Sequence, residues 1–146
     1  MHSSFIYLVA VMDWFSRYVL SWELSNTLDM HFCLNALNKA LRSGKPEIFN
    51  TDQGSQFTSS VYTERILGND IKLSMDSKGR ALDNIFIERL WRNLKYEEIY
   101  PNDYETVLDL IWTIERYFDF YNNQRIHQSL NYKTPAENYY NYSLFN

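Results

Sequence analysis

Two carboxylates are the residues of this chain best suited to chemistry. Asp52 stands in Thr51-Asp52-Gln53-Gly54, directly after the short apolar stretch Ile48-Phe49, and Gly54 lets the chain turn sharply behind it. In α/β sheets ligand chemistry gathers at the carboxyl ends of strands, which is where this spacing puts Asp52. The same four residues also read as a simple turn signal. Glu88 comes later, with 35 residues between it and Asp52, on a stretch of helical periodicity. There Glu88, Arg92 and Lys95 fall at i, i+4 and i+7 on one face, while Ile87, Leu90, Trp91 and Leu94 form an apolar stripe. Two carboxylates brought together can hold Mg²⁺ or Mn²⁺, hard cations that take oxygen ligands and leave positions open for phosphate oxygens. Two such ions about 4 Å apart can activate a water or a 3′ hydroxyl and stabilise the leaving oxygen of an in-line phosphoryl transfer. The competing reading of Glu88 is an i,i+4 ion pair with Arg92, worth a few tenths of a kcal/mol.

Charge along the chain bears on that chemistry. The total is -4, yet residues 71–96 carry six basic and three acidic side chains, against five and seven before them and three and eight after. A local excess of cations suffices for phosphate contact, because counterion release depends on the charges at the contact. An ordinary solvated helix face is the simpler explanation of the same residues. His127 is read as a hydrogen-bonded structural histidine, with DNA contact as the alternative, since one histidine makes no metal site. Cys33 is read as a small core residue.

The elements that must position these groups follow from periodicity. Phe5 to Met12 is a buried strand, Asp13 to Arg17 a turn, and Tyr18 to Leu24 a half-buried strand of a hairpin with period two. Asp29 to Arg42 has helical spacing, with Thr27 or Asp29 as cap and Gly44 and Pro46 as stop. A short strand at Ile48-Phe49, a helix over Ser59 to Leu67 and a strand over Ile71 to Met75 come next. After the polar, glycine-containing loop 76–82, one helix is expected from Asp83 or Asn84 to Glu98, broken before Pro101, and another from Asp103 to Tyr121. Thr134-Pro135-Ala136-Glu137 combines an N-cap, a first-turn proline and a capping glutamate, so a final helix starts there. Strands alternating with helices argue for an α/β layered domain with some parallel pairing.

Composition bounds the rest. A chain of 146 residues, 45% hydrophobic and 22% charged, matches one globular domain rather than a disordered or membrane-embedded protein. The single cysteine allows no internal disulfide and no Cys-x-x-Cys zinc site. The longest apolar run, Phe5 to Met12, is far short of the roughly 20 residues that span a bilayer. A cytoplasmic protein is the expectation.

Taken together, several blocks resemble a known family. They are Asp13-Trp14-Phe15-Ser16-Arg17, Asn50 through Phe57, Ser74 through Asn84, Glu88 through Lys95, and Tyr121 through His127 with Thr134-Pro135-Ala136. In order and spacing they are similar to the integrase core of bacterial insertion-sequence transposases of the DDE type, relatives of retroviral integrases. The resemblance implies a ribonuclease H-like α/β fold, a mixed sheet flanked by helices, as one integrase-core domain over 1–146. It implies Mg²⁺-dependent (or Mn²⁺-dependent) cleavage and joining of DNA ends, with Asp52 as second catalytic aspartate, Glu88 as catalytic glutamate and both as metal ligands. Lys95 would contact the transposon end, with Arg92, Lys78 and Arg80 as further DNA contacts. Partners would be double-stranded DNA, both transposon ends and target, and further copies of the chain or full-length transposase, in a bacterial cytoplasm at the nucleoid.

One departure qualifies the resemblance. The family's first metal-binding aspartate sits on a central strand one hairpin upstream of the segment that begins here at Phe5, and these residues hold no counterpart of it or of a helix-turn-helix domain. Asp13 matches the family's turn aspartate instead. The expectation is a chain short of its first strand and impaired in strand transfer. The alternatives are a ribonuclease H-like nuclease and a non-catalytic remnant that binds DNA or co-assembles with intact transposase and inhibits it.

Overall fold

The structure, a computed structural model, describes residues 6–51, 57, 59–75 and 85–145. The chain divides into two compact units, one containing Met12–Val19 and Phe86–Asn146, the other Ser4–Val11 and Leu20–Ile85.

In the second unit, strands β1 (Tyr7–Met12) and β2 (Val19–Ser25) pair in a two-stranded sheet. Six connecting residues are too few for a crossover, so the pair is antiparallel, the expected hairpin. The turn itself is built by Asp13. Its carboxylate accepts from the Ser16 N–H at 3.0 Å and the Ser16 hydroxyl at 2.6 Å, and its backbone N–H donates to the Tyr18 carbonyl at 2.9 Å. Arg17 closes the turn at φ 67°, in the left-handed region. Asp13 is thus committed to its turn.

Helix α1 (Met30–Leu41) starts at Asp29, whose side chain accepts from the His31 N–H at 2.9 Å. The Thr27 hydroxyl donates to the same carboxylate at 2.8 Å, so the two candidate caps share the work. Beyond the helix Gly44 adopts φ +146°, which a side chain would resist. Strand β3 (Ile48–Thr51) and strand β4 (Lys72–Met75) pair in parallel from Ile48↔Lys72 to Thr51↔Met75, with helix α2 (Ser60–Leu67) in the crossover. The mixed sheet expected from the sequence is therefore two separate pairs among the described residues, one of each direction. They share one core. Phe32, Cys33 and Leu37 of α1 and Tyr62 and Ile66 of α2 are buried with Ile71, and Val9, Phe49 and Leu73 pack against them from three strands. Cys33 is buried, as expected of a small core residue.

The first unit is helical apart from the hairpin turn. Helix α3 (Ile85–Leu94) runs into a π-helical stretch (Lys95–Ile99), and α4 (Val107–Asn123) packs with α5 (Pro135–Phe145). The helix expected to reach Glu98 and break before Pro101 stays helical to Ile99, and its pitch widens at Lys95, where the Tyr100 N–H donates to the Lys95 carbonyl at 2.8 Å, an i→i+5 closure. One boundary corrects the sequence reading. The helix expected from Asp103 starts at Val107, because the Thr106 hydroxyl accepts from the Asp109 N–H at 3.0 Å and so caps it there. The capping box of α5 is as expected: the Glu137 carboxylate accepts from the Thr134 N–H at 3.3 Å, and the Glu137 N–H donates to the Thr134 hydroxyl at 3.2 Å.

Candidate active site

Helix α3 separates its two faces as the periodicity requires. Leu90 and Leu94 are buried, while Glu88, Arg89, Arg92 and Lys95 are exposed. Glu88 lies in the first turn, where the helix dipole favours a negative charge. No ion pair joins it to Arg92 among the described residues. Arg92 instead sits over the Tyr96 ring, 5.8 Å from its centroid, a contact worth about 0.5–1 kcal/mol at an exposed site. The carboxylate of Glu88 therefore faces solvent on a helix face otherwise cationic.

The remaining predicted residues are distributed differently. Strand β3 ends at Thr51, so Asp52 is the next residue of the chain. Asp52, Lys78 and Arg80 lie outside the described residues. Among the described residues no three His, Cys, Asp or Glu side chains come together as a metal-binding group. Two carboxylates are the hard oxygen donors that Mg²⁺ or Mn²⁺ prefers, so the chemistry of the donors fits.

A polar network adjoins Lys95, and the sequence reading did not find it. Glu97 Oε2 accepts from the Tyr117 hydroxyl at 2.6 Å, and the Arg125 guanidinium forks onto the same carboxylate, Nε at 2.9 and 3.2 Å and Nη2 at 2.8 Å. Burial alone would raise the Glu97 carboxyl, but the hydrogen bonds from Arg125 and Tyr117 and the guanidinium charge outweigh it and lower its pKa. Tyr117 is pushed well up, first by burial and then by its bond to Glu97. Arg125 is raised on balance, because Glu97 outweighs the opposing effect of burial. It also lies over the Tyr121 ring, 5.9 Å from the centroid.

His127 completes the group. Its ring meets Tyr121 edge-on at 5.1 Å and its Nε2 lies 3.4 Å from Arg125 Nη1, while its backbone N–H donates to the Lys133 carbonyl at 3.0 Å. Burial lowers its pKa to about 4, helped by the charges of Arg125 and Arg17. The edge-on ring contact and the backbone hydrogen bond are those of a packed histidine. Nearby, Asn122 mimics a strand partner: its amide oxygen accepts from the Val19 N–H at 2.8 Å and its NH₂ donates to the Val19 carbonyl at 3.0 Å.

The signal that could have revealed Glu97 was present. Leu90 and Leu94 continue at i+3 to Glu97, so a carboxylate falls in line with the apolar stripe. Nothing in the spacing says that the partner is Arg125.

The integrase core domain matches twice, over residues 1–81 and over 69–135. The transposase for insertion sequence element IS904 of Lactococcus lactis is 32% identical over 136 residues, 90% of this chain and 54% of its own. The putative transposase InsK for IS150 of Escherichia coli is 32% identical over 135 residues, 90% of this chain and 48% of its own. The chain spans about half the length of the curated relatives it matches. Among solved structures, the HTLV-2 integrase catalytic core domain in complex with magnesium, in a trimeric form, is similar at TM-score 0.67 and 25% identity, over 89% of this chain and 82% of that one. A simian T-cell lymphotropic virus intasome aligns at TM-score 0.70 and 18% identity, over 89% of this chain and 46% of that one, a likeness of fold. The expected ribonuclease H-like α/β class is therefore the fold of the chain.

Proposed function

The chain belongs to the integrase core domain family, and from that premise we propose that it is the catalytic part of a transposase, cutting and joining DNA by metal-dependent phosphoryl transfer. Residues 1–146 serve as one integrase core, working on transposon ends and target DNA at the bacterial nucleoid. Asp52 and Glu88 are the metal ligands and catalytic carboxylates. A bound Mg²⁺ or Mn²⁺ supplies Lewis-acid charge to the phosphate being attacked. Lys95 and Arg92, with Lys78 and Arg80, hold the DNA backbone through charge, orienting it before reaction.

The observation that carries this reading is the face of α3, where Glu88 stands exposed beside Arg92 and Lys95 on a helix anchored from behind by Leu90 and Leu94. An acidic ligand set within a cationic surface suits a phosphodiester, attracting the backbone while reserving one point for the metal. No helix among the described residues is long and apolar enough to cross a membrane. Assembly with further copies or with full-length transposase is supported by the trimeric, dimeric and intasome forms named for the structural neighbours. The exposed Leu108 and Trp112, one turn apart on α4, offer apolar surface for it.

The test is cleavage and joining of a labelled transposon-end duplex with Mg²⁺ or Mn²⁺, using the transposase that carries this segment. Asp52→Asn and Glu88→Gln should each abolish the reaction and leave binding of the duplex in place. Unchanged cleavage in both variants would refute the assignment.

A further inference from the structure

Glu97, Arg125 and Tyr117 sit behind the turn that begins with Lys95. Glu97 comes two positions after Lys95, which at about 3.6 or more residues per turn puts them on nearly opposite sides of the helix. Lys95 is exposed and starts the π-helical stretch, its carbonyl taking the Tyr100 N–H at 2.8 Å. Glu97, partly exposed as well, takes the Arg125 fork and the Tyr117 hydroxyl at 2.6 Å.

Arg125 is itself held on three sides, by Glu97, by the Tyr121 ring and by His127, and its backbone N–H donates to the Phe120 carbonyl at 2.8 Å at the end of α4. The turn bearing Lys95 is thus tied to α4 and to the His127 segment through one carboxylate. Partly exposed ion pairs add little to stability. A bidentate fork joined by a tyrosine hydroxyl does fix direction, because each donor restricts the carboxylate plane. Stretches of π-helix are short and recur at functional sites, and this one is pinned at its middle residue.

From this we propose that Glu97, Arg125 and Tyr117 are positioning residues that aim Lys95 at a phosphate of the DNA backbone. The inference rests on the reading of Lys95 as a DNA contact. Releasing Glu97 frees the turn, and Lys95 then loses its fixed direction while staying on the surface.

The experiment measures binding of a fluorescein-labelled DNA duplex by this chain across a series of salt concentrations. Lys95→Ala should weaken binding severalfold and reduce the slope of log K against log salt by about 1, the signature of one lost phosphate contact. Glu97→Ala should reproduce both changes, and Lys95→Ala with Glu97→Ala should be no weaker than Lys95→Ala alone, the non-additivity of residues acting through one contact. Tyr117→Phe, which removes one hydroxyl and keeps the ion pair, gives a smaller loss in the same direction and covers the case in which Glu97→Ala does not fold. Thr134→Ala, which removes a helix cap, lowers melting temperature and leaves the slope alone. If Glu97→Ala and Tyr117→Phe keep the parent slope, or if the losses from Glu97 and Lys95 multiply, the positioning role is wrong while the Lys95 contact stands. If Lys95→Ala itself leaves binding unchanged, both ideas fall.

Discussion

Two buried tyrosines mark two different ways of holding a fold. Tyr62 on α2 lies among apolar side chains, its ring meeting Phe49 and Phe57 edge-on at 6.4 and 5.4 Å beside Leu37 and Ile66. Tyr117 on α4 is buried too, and its hydroxyl donates to the Glu97 carboxylate, which Arg125 also claims. Apolar packing is non-directional and shared among many contacts, so its loss is graded with the volume removed. A hydrogen-bonded network depends on particular atoms and loosens as a unit when one is removed. The first region should therefore tolerate changes of shape, and the second should tolerate almost none of chemistry.

The largest effect tests the apolar side. Leu37 is fully buried in the α1 and α2 core, so Leu37→Ala should cost about 2–5 kcal/mol in denaturant unfolding. Ile66→Val, which removes one methylene from a fully buried site, should cost only about 0.5–1.5 kcal/mol. A difference of that size between the two substitutions is what graded packing means. Equal losses would show that this core is as unforgiving as a polar network.

Asn122 supplies the matching test on the other side. It satisfies both the N–H and the C=O of Val19 in a buried setting. Asn122→Leu conserves size and removes both partners, and each stranded backbone group costs about 1–3 kcal/mol. The loss on unfolding should exceed that of Ile66→Val although the volume hardly changes. If Asn122→Leu proves neutral, the contrast between the regions fails at its best-defined point.

Acid should separate the regions by pH. Burial, with help from Arg125 and Arg17, holds His127 at about 4 in the folded chain, against about 6.5 when unfolded. Between those values the unfolded state binds the extra proton, so stability is full above about 6.5 and falls as pH drops toward 4. The half-exposed ring limits the effect to on the order of 1 kcal/mol once solvent screening is allowed for. Glu97 has the opposite kind of shift: its lowered pKa keeps it charged through this window, and its contribution is lost only as pH falls through that lowered value. Unfolding curves between pH 7 and pH 4 should therefore flatten in His127→Gln, and an unchanged pH slope in that variant would overturn the assignment.

The same contrast explains what the sequence could reveal. Period and caps placed α1, α2, β4 and the Thr134 to Glu137 box within a residue or two, because local spacing and a side-chain oxygen three residues from its target are all those features need. Glu88, Arg92 and Lys95 were legible as one face for the same reason. The tie between Glu97 and Arg125 was not, since the two stand 28 positions apart. Asn122 and Val19, separated by 103 positions, were beyond any local rule. What spacing misses here is the directed, long-range polar contact, whereas a long-range apolar contact such as Phe49 with Tyr62 needs only that both residues be apolar.

The smallest effect concerns charge without a network. Lys39 Nζ and Glu23 Oε1 are 2.5 Å apart, closer than Arg125 and Glu97 at 2.8 Å, so distance alone would rank this pair higher. The Lys39 side chain is nevertheless 49% exposed, against 24% for Arg125, and Lys39 is a single point charge with no planar fork. Water competes for its ammonium group, and a flexible stem must be ordered to keep the contact. Lys39→Met should therefore change unfolding free energy by no more than about 0.5 kcal/mol, with any difference vanishing at high salt. A loss approaching that of Asn122→Leu would mean that proximity, rather than the number and direction of the partners, decides which polar contacts this fold depends on.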